Sequence, residues 1–301
     1  MKPAPFTLHA PSTLDEALGV LAECGDDGKV LAGGQSLIPL LNMRLAAPGH
    51  LVDINGVPGL DRVEPSPDGV RVGALARHSH VHRDAGAAAS VPLLQQALSL
   101  VAHPVIRNRG TTVGSIAHAD PSGEMTAVLA LLGGSMELVS TSGSRTVAAA
   151  DFFLGPLETC LAPCELAVSA WFPALPAGSG TAFRELSRRH GDYAMCGVAA
   201  AVTLDAAGGV ARAATSYISM TATPVVLELT DAVVGRPWDT ADWAAAAQLA
   251  VGQLDPEPDL HATAAYRRQL GRVLTRQALA AAAQAAAAAT DSPLATSGGV
   301  R

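Results

Sequence analysis

The chain has 301 residues, 49% of them hydrophobic and 16% charged, with a formal net charge of −7 at pH 7. This length predicts two domains, because a single hydrophobic core stops growing near about 250–300 residues. The apolar content excludes a disordered chain, and the negative charge without a Lys/Arg block excludes a nucleic-acid-binding protein. No run of about 18 apolar residues is present to span a membrane, and residues 1–6 lack the apolar core of a secretion signal. We therefore expect a soluble cytoplasmic protein.

The predicted elements of the first half are short helices, strands and hairpins. Thr13 and Glu16 form a capping box that starts a helix, and Gly25 lies just past its end. The remaining elements are expected as strands at 29–32 and 51–54, hairpins at 63–76 and 136–148, and helices at 91–102 and 125–132.

The second half begins after the Pro/Gly/Ser-rich stretch 173–180, which is the best candidate for a linker. Strands are expected at 182–188, 198–204 and 210–220, and helices from Pro224, Asp242 and Leu260 and over the Ala-rich 276–289. Because strands and helices occur in runs rather than in strict alternation, we predict the α+β class. Residues 291–301 are expected to be a disordered tail.

The first candidate binding segment is Val30 to Pro39, where a strand runs into paired glycines. Glycine lets the backbone approach a ligand closely and direct N–H groups at an anion, and a helix after the loop would present its N-terminus to a phosphate. Neither Lys nor Arg lies in this segment, so the main chain would hold the phosphate. The alternative is an ordinary strand–turn–helix corner, because a Gly-Gly pair alone is a weak signal.

A second glycine loop, Ile106 to Ile116, places Thr, Ser and Gly in a row and runs into the segment Ala117 to Pro121. Two such loops in one domain are what a dinucleotide pyrophosphate needs when it is gripped from both sides. The chain contains no G-x-G-x-x-G, which excludes a Rossmann site.

Other site chemistries have little support in the sequence. His78, His80 and His82 alternate as ligands on a strand could, but no further ligand completes a typical set, so we expect an ordinary surface segment and a chain without metal. No Gly-x-Ser-x-Gly elbow indicates a hydrolase. Free thiols that are packed or partly exposed are expected at the four cysteines, Cys24, Cys160, Cys164 and Cys196.

Three segments together resemble the FAD-binding medium subunit of molybdenum hydroxylases, the family of carbon monoxide and xanthine dehydrogenases. These segments are 32–39 with 51–54 downstream, 107–124, and 188–194. The resemblance covers the chain from Phe6 to the Ala-rich tail. It implies a two-subdomain FAD-binding fold of the vanillyl-alcohol-oxidase/PCMH type in residues 1–177, with subdomains at about 1–56 and 57–177. A small α/β domain with a three-stranded antiparallel sheet is implied for residues 178–290.

The resemblance also implies that this chain binds FAD, chiefly through main-chain atoms of the two loops. Glu124 occupies the position of an acidic FAD-binding residue, Arg184 that of a basic one, and Tyr193 the position that packs near the isoalloxazine ring. Many members have Gly-Gly where this chain has Val113-Gly114, and a β-branched residue there restricts the backbone to negative φ. The implied FAD-binding residues are Val30, Leu31, Ala32, Gly33, Gly34, Gln35, Ser36, Leu37, Val101, Thr111, Thr112, Val113, Gly114, Ser115, Ala119, Asp120, Glu124, Ala167, Arg184 and Tyr193.

The implied partners are a small subunit with two [2Fe–2S] clusters and a large subunit with the molybdenum cofactor, in a dimer of heterotrimers. Substrate would be hydroxylated at molybdenum, and electrons would pass through the clusters to FAD and then to NAD, oxygen or a quinone. Two alternatives remain open. One is a self-sufficient FAD oxidoreductase acting directly on a small organic substrate, and the other is a scaffold subunit that no longer binds flavin.

Overall fold

The computed structural model describes residues 1–290, which divide into two compact units. The first unit is Met1–Ala174, and the second begins at Leu175. Within residues 1–290, the helices do not combine the length and the apolar character that crossing a membrane requires. The tail expected at 291–301 lies outside the described residues.

The first unit opens with a small parallel sheet in which strands and helices alternate. The elements in order are β1 (Thr7–His9), α1 (Leu14–Cys24), β2 (Gly28–Leu31), α2 (Leu37–Met43) and β3 (His50–Asp53). Strand β3 lies between β1 and β2 and pairs in parallel with both. Parallel neighbours need a crossover connection, which α1 and α2 supply. The chain therefore alternates locally here, although the expectation was of strands and helices in runs.

Helix α1 has the predicted caps. The Thr13 hydroxyl accepts a hydrogen bond from the Glu16 backbone N–H at 3.2 Å, and Gly25 ends the helix with a φ of +53°. The Glu16 carboxylate accepts from the backbone N–H of Ser12 at 2.8 Å, and this bond lowers the pKa of Glu16. Leu18 and Leu21 are buried on the face that was predicted to be apolar.

A five-stranded antiparallel sheet and a separate small pair of strands follow in the same unit. The strands are β4 (Val63–Ser66), β5 (Gly69–Gly73), β6 (Ser135–Ser140), β7 (Gly143–Ala148) and β10 (Leu166–Pro173), and the pair is β8 (Phe153–Gly155) and β9 (Glu158–Thr159). The order of strands across the sheet is β4-β5-β10-β6-β7. Both predicted hairpins are confirmed, and the late strand β10 lies between them. A register shift between Ala167 and Ser169 bulges β10 where it pairs with β6.

Seven further helices complete the first unit. The helix predicted at 91–102 is shorter, because the chain turns after Leu98 and reaches a left-handed conformation at Ala102, with a φ of +43°. The helix predicted at 125–132 is confirmed within one residue. The helices are α3 (His78–Arg83), α4 (Ala85–Ser90), α5 (Pro92–Leu98), α6 (Pro104–Arg107), α7 (Thr112–His118), α8 (Glu124–Leu131) and α9 (Ala149–Phe152).

The second unit has an antiparallel sheet of four strands rather than the expected three. In chain order, which is also their order across the sheet, these are β11 (Ser179–Ser187), β12 (Ala194–Leu204), β13 (Val210–Ile218) and β14 (Val226–Glu228). The helix expected from Pro224 is wrong, because residues 226–228 pair with β13 as a short edge strand. The β-branched Val225 and Val226 favour that extended conformation. The helices of this unit are α10 (Thr230–Val233), α11 (Trp243–Gly252) and α12 (Ala264–Thr290).

The Ala-rich segment forms the second half of α12, which packs on this sheet. Its alanines at 278, 282, 283 and 286 are fully buried. A Cβ at Gly180 of β11 would collide with the α12 backbone at Ala282 and Ala286. Small residues on both elements therefore let the helix approach the strand closely, which helix propensity alone does not predict.

Candidate FAD-binding site

The first glycine loop connects β2 to α2. Gly34 has a φ of +72°, in the left-handed region that glycine adopts without steric cost. A Cβ at Gly33 would lie 2.5 Å from the Arg109 carbonyl oxygen and 2.8 Å from the Gly110 Cα. The backbone of the first loop therefore lies directly against the backbone of the second loop, and a side chain at Gly33 would separate them.

The second glycine loop leads into α7 through an N-cap at Thr111. The Thr111 hydroxyl accepts a hydrogen bond from the Gly114 N–H at 3.2 Å, and Thr112 is fully buried. Val113 is buried inside the first turn of α7. Because helical residues have negative φ, a β-branched side chain fits at Val113 without backbone strain. The departure from Gly-Gly at this position is therefore compatible with the loop.

Two polar side chains, Asn55 and Arg77, tie the two loops together, and we call them the polar strap. The Asn55 amide donates to the Ala32 carbonyl at 2.8 Å. The Arg77 guanidinium donates to Asn55 Oδ1 and to the Arg109 carbonyl, both at 2.5 Å. The same carbonyl of Arg109 faces Gly33. The strap thus fixes the two loops against each other at the point where their backbones meet.

Burial and charge both act on the strap. Burial lowers the pKa of Arg77, the like charge of Arg109 adds to this, and Asp53 opposes it. A guanidinium titrates so far above neutrality that Arg77 remains charged and keeps both donors. The sequence does not predict the strap, although both residues directly follow strand signals, Asn55 after 51–54 and Arg77 after the predicted hairpin at 63–76.

His78 contacts the second glycine loop through both its backbone and its side chain. Its backbone N–H donates to the Gly110 carbonyl at 2.9 Å, and its Nδ1 lies 3.2 Å from the Thr112 hydroxyl. Burial lowers the pKa of His78 to about 4, and the positive charge of Arg107 adds to this, so the imidazole is neutral at pH 7. The expectation of a surface segment is wrong for His78, because the segment is the helix α3 and this residue lies on its inner side.

The segment after α7 carries the acidic candidates. Ala119 ends the helix with a φ of +53°, and the Asp120 carboxylate accepts from the Ser122 N–H at 2.8 Å. Glu124 is the first residue of α8 and is partly buried. Burial raises the pKa of Glu124 to about 7, its own backbone N–H opposes this, and the nearby Asp120 charge contributes to the increase.

The raised pKa of Glu124 predicts that the free energy of unfolding of the flavin-free chain decreases as pH rises between about 4.5 and 7. In that window the folded chain retains a proton that the unfolded chain has released. Glu124→Gln removes this titration, so urea unfolding should show the variant gaining about 1–3 kcal/mol relative to the parent chain across the window. Glu64→Gln, at an exposed carboxylate, is the control. Parallel pH profiles for parent and Glu124→Gln would contradict the assignment.

The remaining candidates lie outside the two loops. The Val101 carbonyl accepts from Arg107 at 2.7 Å, and Ala167 is buried beside the bulge of β10. Arg184 and Tyr193 belong to the second unit, where Arg184 is exposed on β11 and Tyr193 is 66% exposed in the turn before β12. The structure therefore brings the two glycine loops together, and it adds Asn55, Arg77 and His78 to them.

The loop arrangement fits the diphosphate of a dinucleotide cofactor. Glycines occupy the positions where a side chain would block the backbone, and a neutral histidine and a charge-assisted strap hold the geometry. Comparison with known families agrees with this. Residues 4–175 match the family described as FAD binding domain in molybdopterin dehydrogenase, and residues 181–282 match the CO dehydrogenase flavoprotein C-terminal domain. The chain belongs to the FAD-binding medium subunits of molybdenum hydroxylases.

Individual relatives extend over nearly the whole chain. The 6-hydroxypseudooxynicotine dehydrogenase complex subunit alpha of Paenarthrobacter nicotinovorans is 41% identical over 94% of this chain and 96% of its own. The carbon monoxide dehydrogenase medium chain of Afipia carboxidovorans is 36% identical over 93% of this chain and 97% of its own. The structure of quinoline 2-oxidoreductase from Pseudomonas putida 86 superposes with a TM-score of 0.89 at 37% identity, covering 95% of this chain and 99% of that one.

These matches confirm the family resemblance and the α+β fold class. They also confirm that the chain is an oxidoreductase subunit and that FAD is its cofactor. The four cysteines are free thiols, as expected, with Cys196 buried and the other three partly exposed.

Proposed function

We propose that this medium subunit transfers electrons from the [2Fe–2S] clusters of a partner subunit to an external acceptor. The observation that carries the proposal is the contact between the two glycine loops at Gly33, held by the polar strap. A flavoprotein of this family needs a fixed main-chain cradle for the cofactor diphosphate, and catalytic acids or bases would add nothing to electron transfer. Bound FAD supplies exchange of both single electrons and electron pairs.

The residues proposed to hold FAD, together with those that orient them, fall into four groups. Main-chain atoms of 30–37 and of 111–115 form the cradle, and Asn55 and Arg77 orient it. Val101, Ala119, Asp120, Glu124 and Ala167 complete the proposed site in the first unit. For Arg184 and Tyr193 of the second unit, the proposal rests on the family resemblance.

The proposed assembly contains a small [2Fe–2S] subunit and a large molybdenum subunit, as a dimer of heterotrimers. The names of the relatives, a medium chain and a subunit of a dehydrogenase complex, support a complex of several subunits, and the dimer of heterotrimers rests on the family resemblance. The substrate pocket would then lie on the large subunit. This chain would determine how fast electrons leave the complex rather than what is oxidised.

Purification of the tagged chain from its own host tests the proposal. We expect FAD, iron and molybdenum to co-purify in fixed ratios, and the flavin to be reduced by substrate only when the partner subunits are present. The isolated chain is the control, and its flavin should remain oxidised with the same substrate. Direct reduction of the isolated flavoprotein by the organic substrate would show a self-sufficient oxidoreductase instead. A chain purified without flavin absorbance would show a scaffold subunit.

A further inference from the structure

A second group of ligating side chains lies near the start of β2 and β3, away from the glycine loop that follows the end of β2. His9 lies on β1, Cys24 is the last residue of α1, and His50 is the first residue of β3. One ligand atom from each lies within 4.8 Å of the others, and all three residues are partly buried. His9 Nε2 is 2.9 Å from His50 Nδ1.

The strand register explains why these side chains meet. Thr7 pairs with His50, and side chains alternate along a strand, so His9 points to the same face of the sheet as His50. Gly28 pairs with His50 from the other side and contributes no side chain to that face. A Cβ at Gly28 would lie 2.9 Å from the Cys24 Cβ. The glycine therefore leaves the space that Cys24 occupies beside the two imidazoles.

The charges around Cys24 favour a cation. Cys24 ends an eleven-residue helix, where the helix dipole is negative. Glu23 and Asp27, which carry carboxylates, lie one and three positions from Cys24 in the chain. Asp27 is held in place, since it accepts from the Gly49 N–H at 2.7 Å. A bound cation would be attracted by these negative charges.

We propose that His9, Cys24 and His50 bind a Zn²⁺ ion, with water as the fourth ligand. Two imidazoles and a thiolate are ligands that zinc takes in tetrahedral sites, whereas Mg²⁺ and Ca²⁺ prefer oxygen. On binding, the Cys24 thiol releases its proton to solvent and a sulfur–zinc bond forms. The hydrogen bond between His9 and His50 is lost, and each imidazole donates a ring-nitrogen lone pair to the ion.

The ion would fasten the end of α1 to the sheet, a stabilising role separate from flavin binding. The three ligands are far apart in sequence and match no metal motif, which is why the sequence predicts a chain without metal. Gly28 pairs with the proposed ligand His50, and Ala32 begins the first glycine loop. The extended chain between these two residues spans about 13 Å at about 3.3 Å per residue. Zinc occupancy should therefore leave the flavin absorbance unchanged, so this inference and the proposed function can fail independently.

Titration of the chelator-treated full chain with Co²⁺, and then with Zn²⁺, tests the inference. We expect a single Co²⁺ per chain with a thiolate charge-transfer band, and Zn²⁺ should displace it. Zn²⁺ should also raise the Tm by mass action. Cys24→Ala should abolish the band and the Tm shift, and His9→Gln should weaken Co²⁺ binding at least about tenfold. Cys164→Ala, at another partly exposed thiol of the same unit, is the matched control and should bind as the parent does.

Three results would overturn the inference. The first is a parent chain with neither a charge-transfer band nor a zinc-dependent Tm shift. The second is a band that survives in Cys24→Ala, since the thiolate ligand would then lie elsewhere. The third is unchanged Co²⁺ affinity in His9→Gln, since that imidazole would then not be a ligand.

Discussion

Replacing Gly33 with Val is expected to release FAD while both units stay folded. A Cβ at this position would lie 2.5 Å from the Arg109 carbonyl oxygen and 3.0 Å from the Thr111 nitrogen. Both neighbours are backbone, so the side chain can be accommodated only if the two loops separate. Overpacking of this kind costs about 1–3 kcal/mol. If that cost falls on the flavin-bound geometry, the Kd for FAD should rise about 5- to 150-fold.

The measurement is flavin fluorescence quenching during titration of the flavin-free chain, with circular dichroism to verify folding. Gly19→Val is the matched control, because Gly19 lies in α1 and its ideal Cβ has no atom within 4 Å apart from the adjacent backbone of its own helix. Gln35→Ala should have a smaller effect, since the Gln35 amide donates to the Gly33 carbonyl at 3.0 Å and the main chain makes the proposed cofactor contacts. A folded Gly33→Val variant with normal FAD affinity would contradict the cradle.

The glycine loops could be predicted from sequence because their signal is local. Paired glycines after an apolar strand, and a row of Thr, Gly and Ser before a helix, restrict what the backbone can do wherever the chain folds. The caps of α1 and the two hairpins were predictable for the same reason. In each case, residues that are close in sequence determine the backbone conformation, and contacts with distant parts of the chain do not change it.

The polar strap could not be predicted, because the fold decides its partners. Asn55 and Arg77 are separated by 22 positions, and the Arg109 carbonyl that accepts from Arg77 lies 32 positions beyond it. A surface position is predicted for His78 because no further ligand completes a metal set with the alternating histidines, although the fold buries the first of them against Thr112. His9 and His50 meet only through the parallel pairing of β1 and β3, and Cys24 lies beside them next to Gly28, which pairs with His50. Such long-range contacts leave no periodic trace in the sequence.

Arg77→Met should weaken FAD binding about 10- to 100-fold, because it removes the donors that fix the Arg109 carbonyl and Asn55 Oδ1. Hydrogen bonds to charged groups contribute about 1.5–3 kcal/mol, and an acceptor left without its donor adds a desolvation cost. We also expect some loss of stability in urea unfolding. Arg62→Met is the matched control, since Arg62 is an exposed arginine of the same unit whose ion pair with Glu64 is 3.8 Å long.

The geometry of Arg77 is expected to matter more than its charge. Arg77→Lys retains the positive charge but lacks the planar fork that reaches two acceptors at once, so its FAD affinity should lie nearer to that of Arg77→Met than to the parent. Asn55→Ala combined with Arg77→Met tests the strap as a unit. Because the two side chains act through one chain of hydrogen bonds, the double variant should lose less than the sum of the single variants. Full affinity in Arg77→Lys would show that charge alone holds the loops, and strictly additive losses would show that Asn55 and Arg77 act separately.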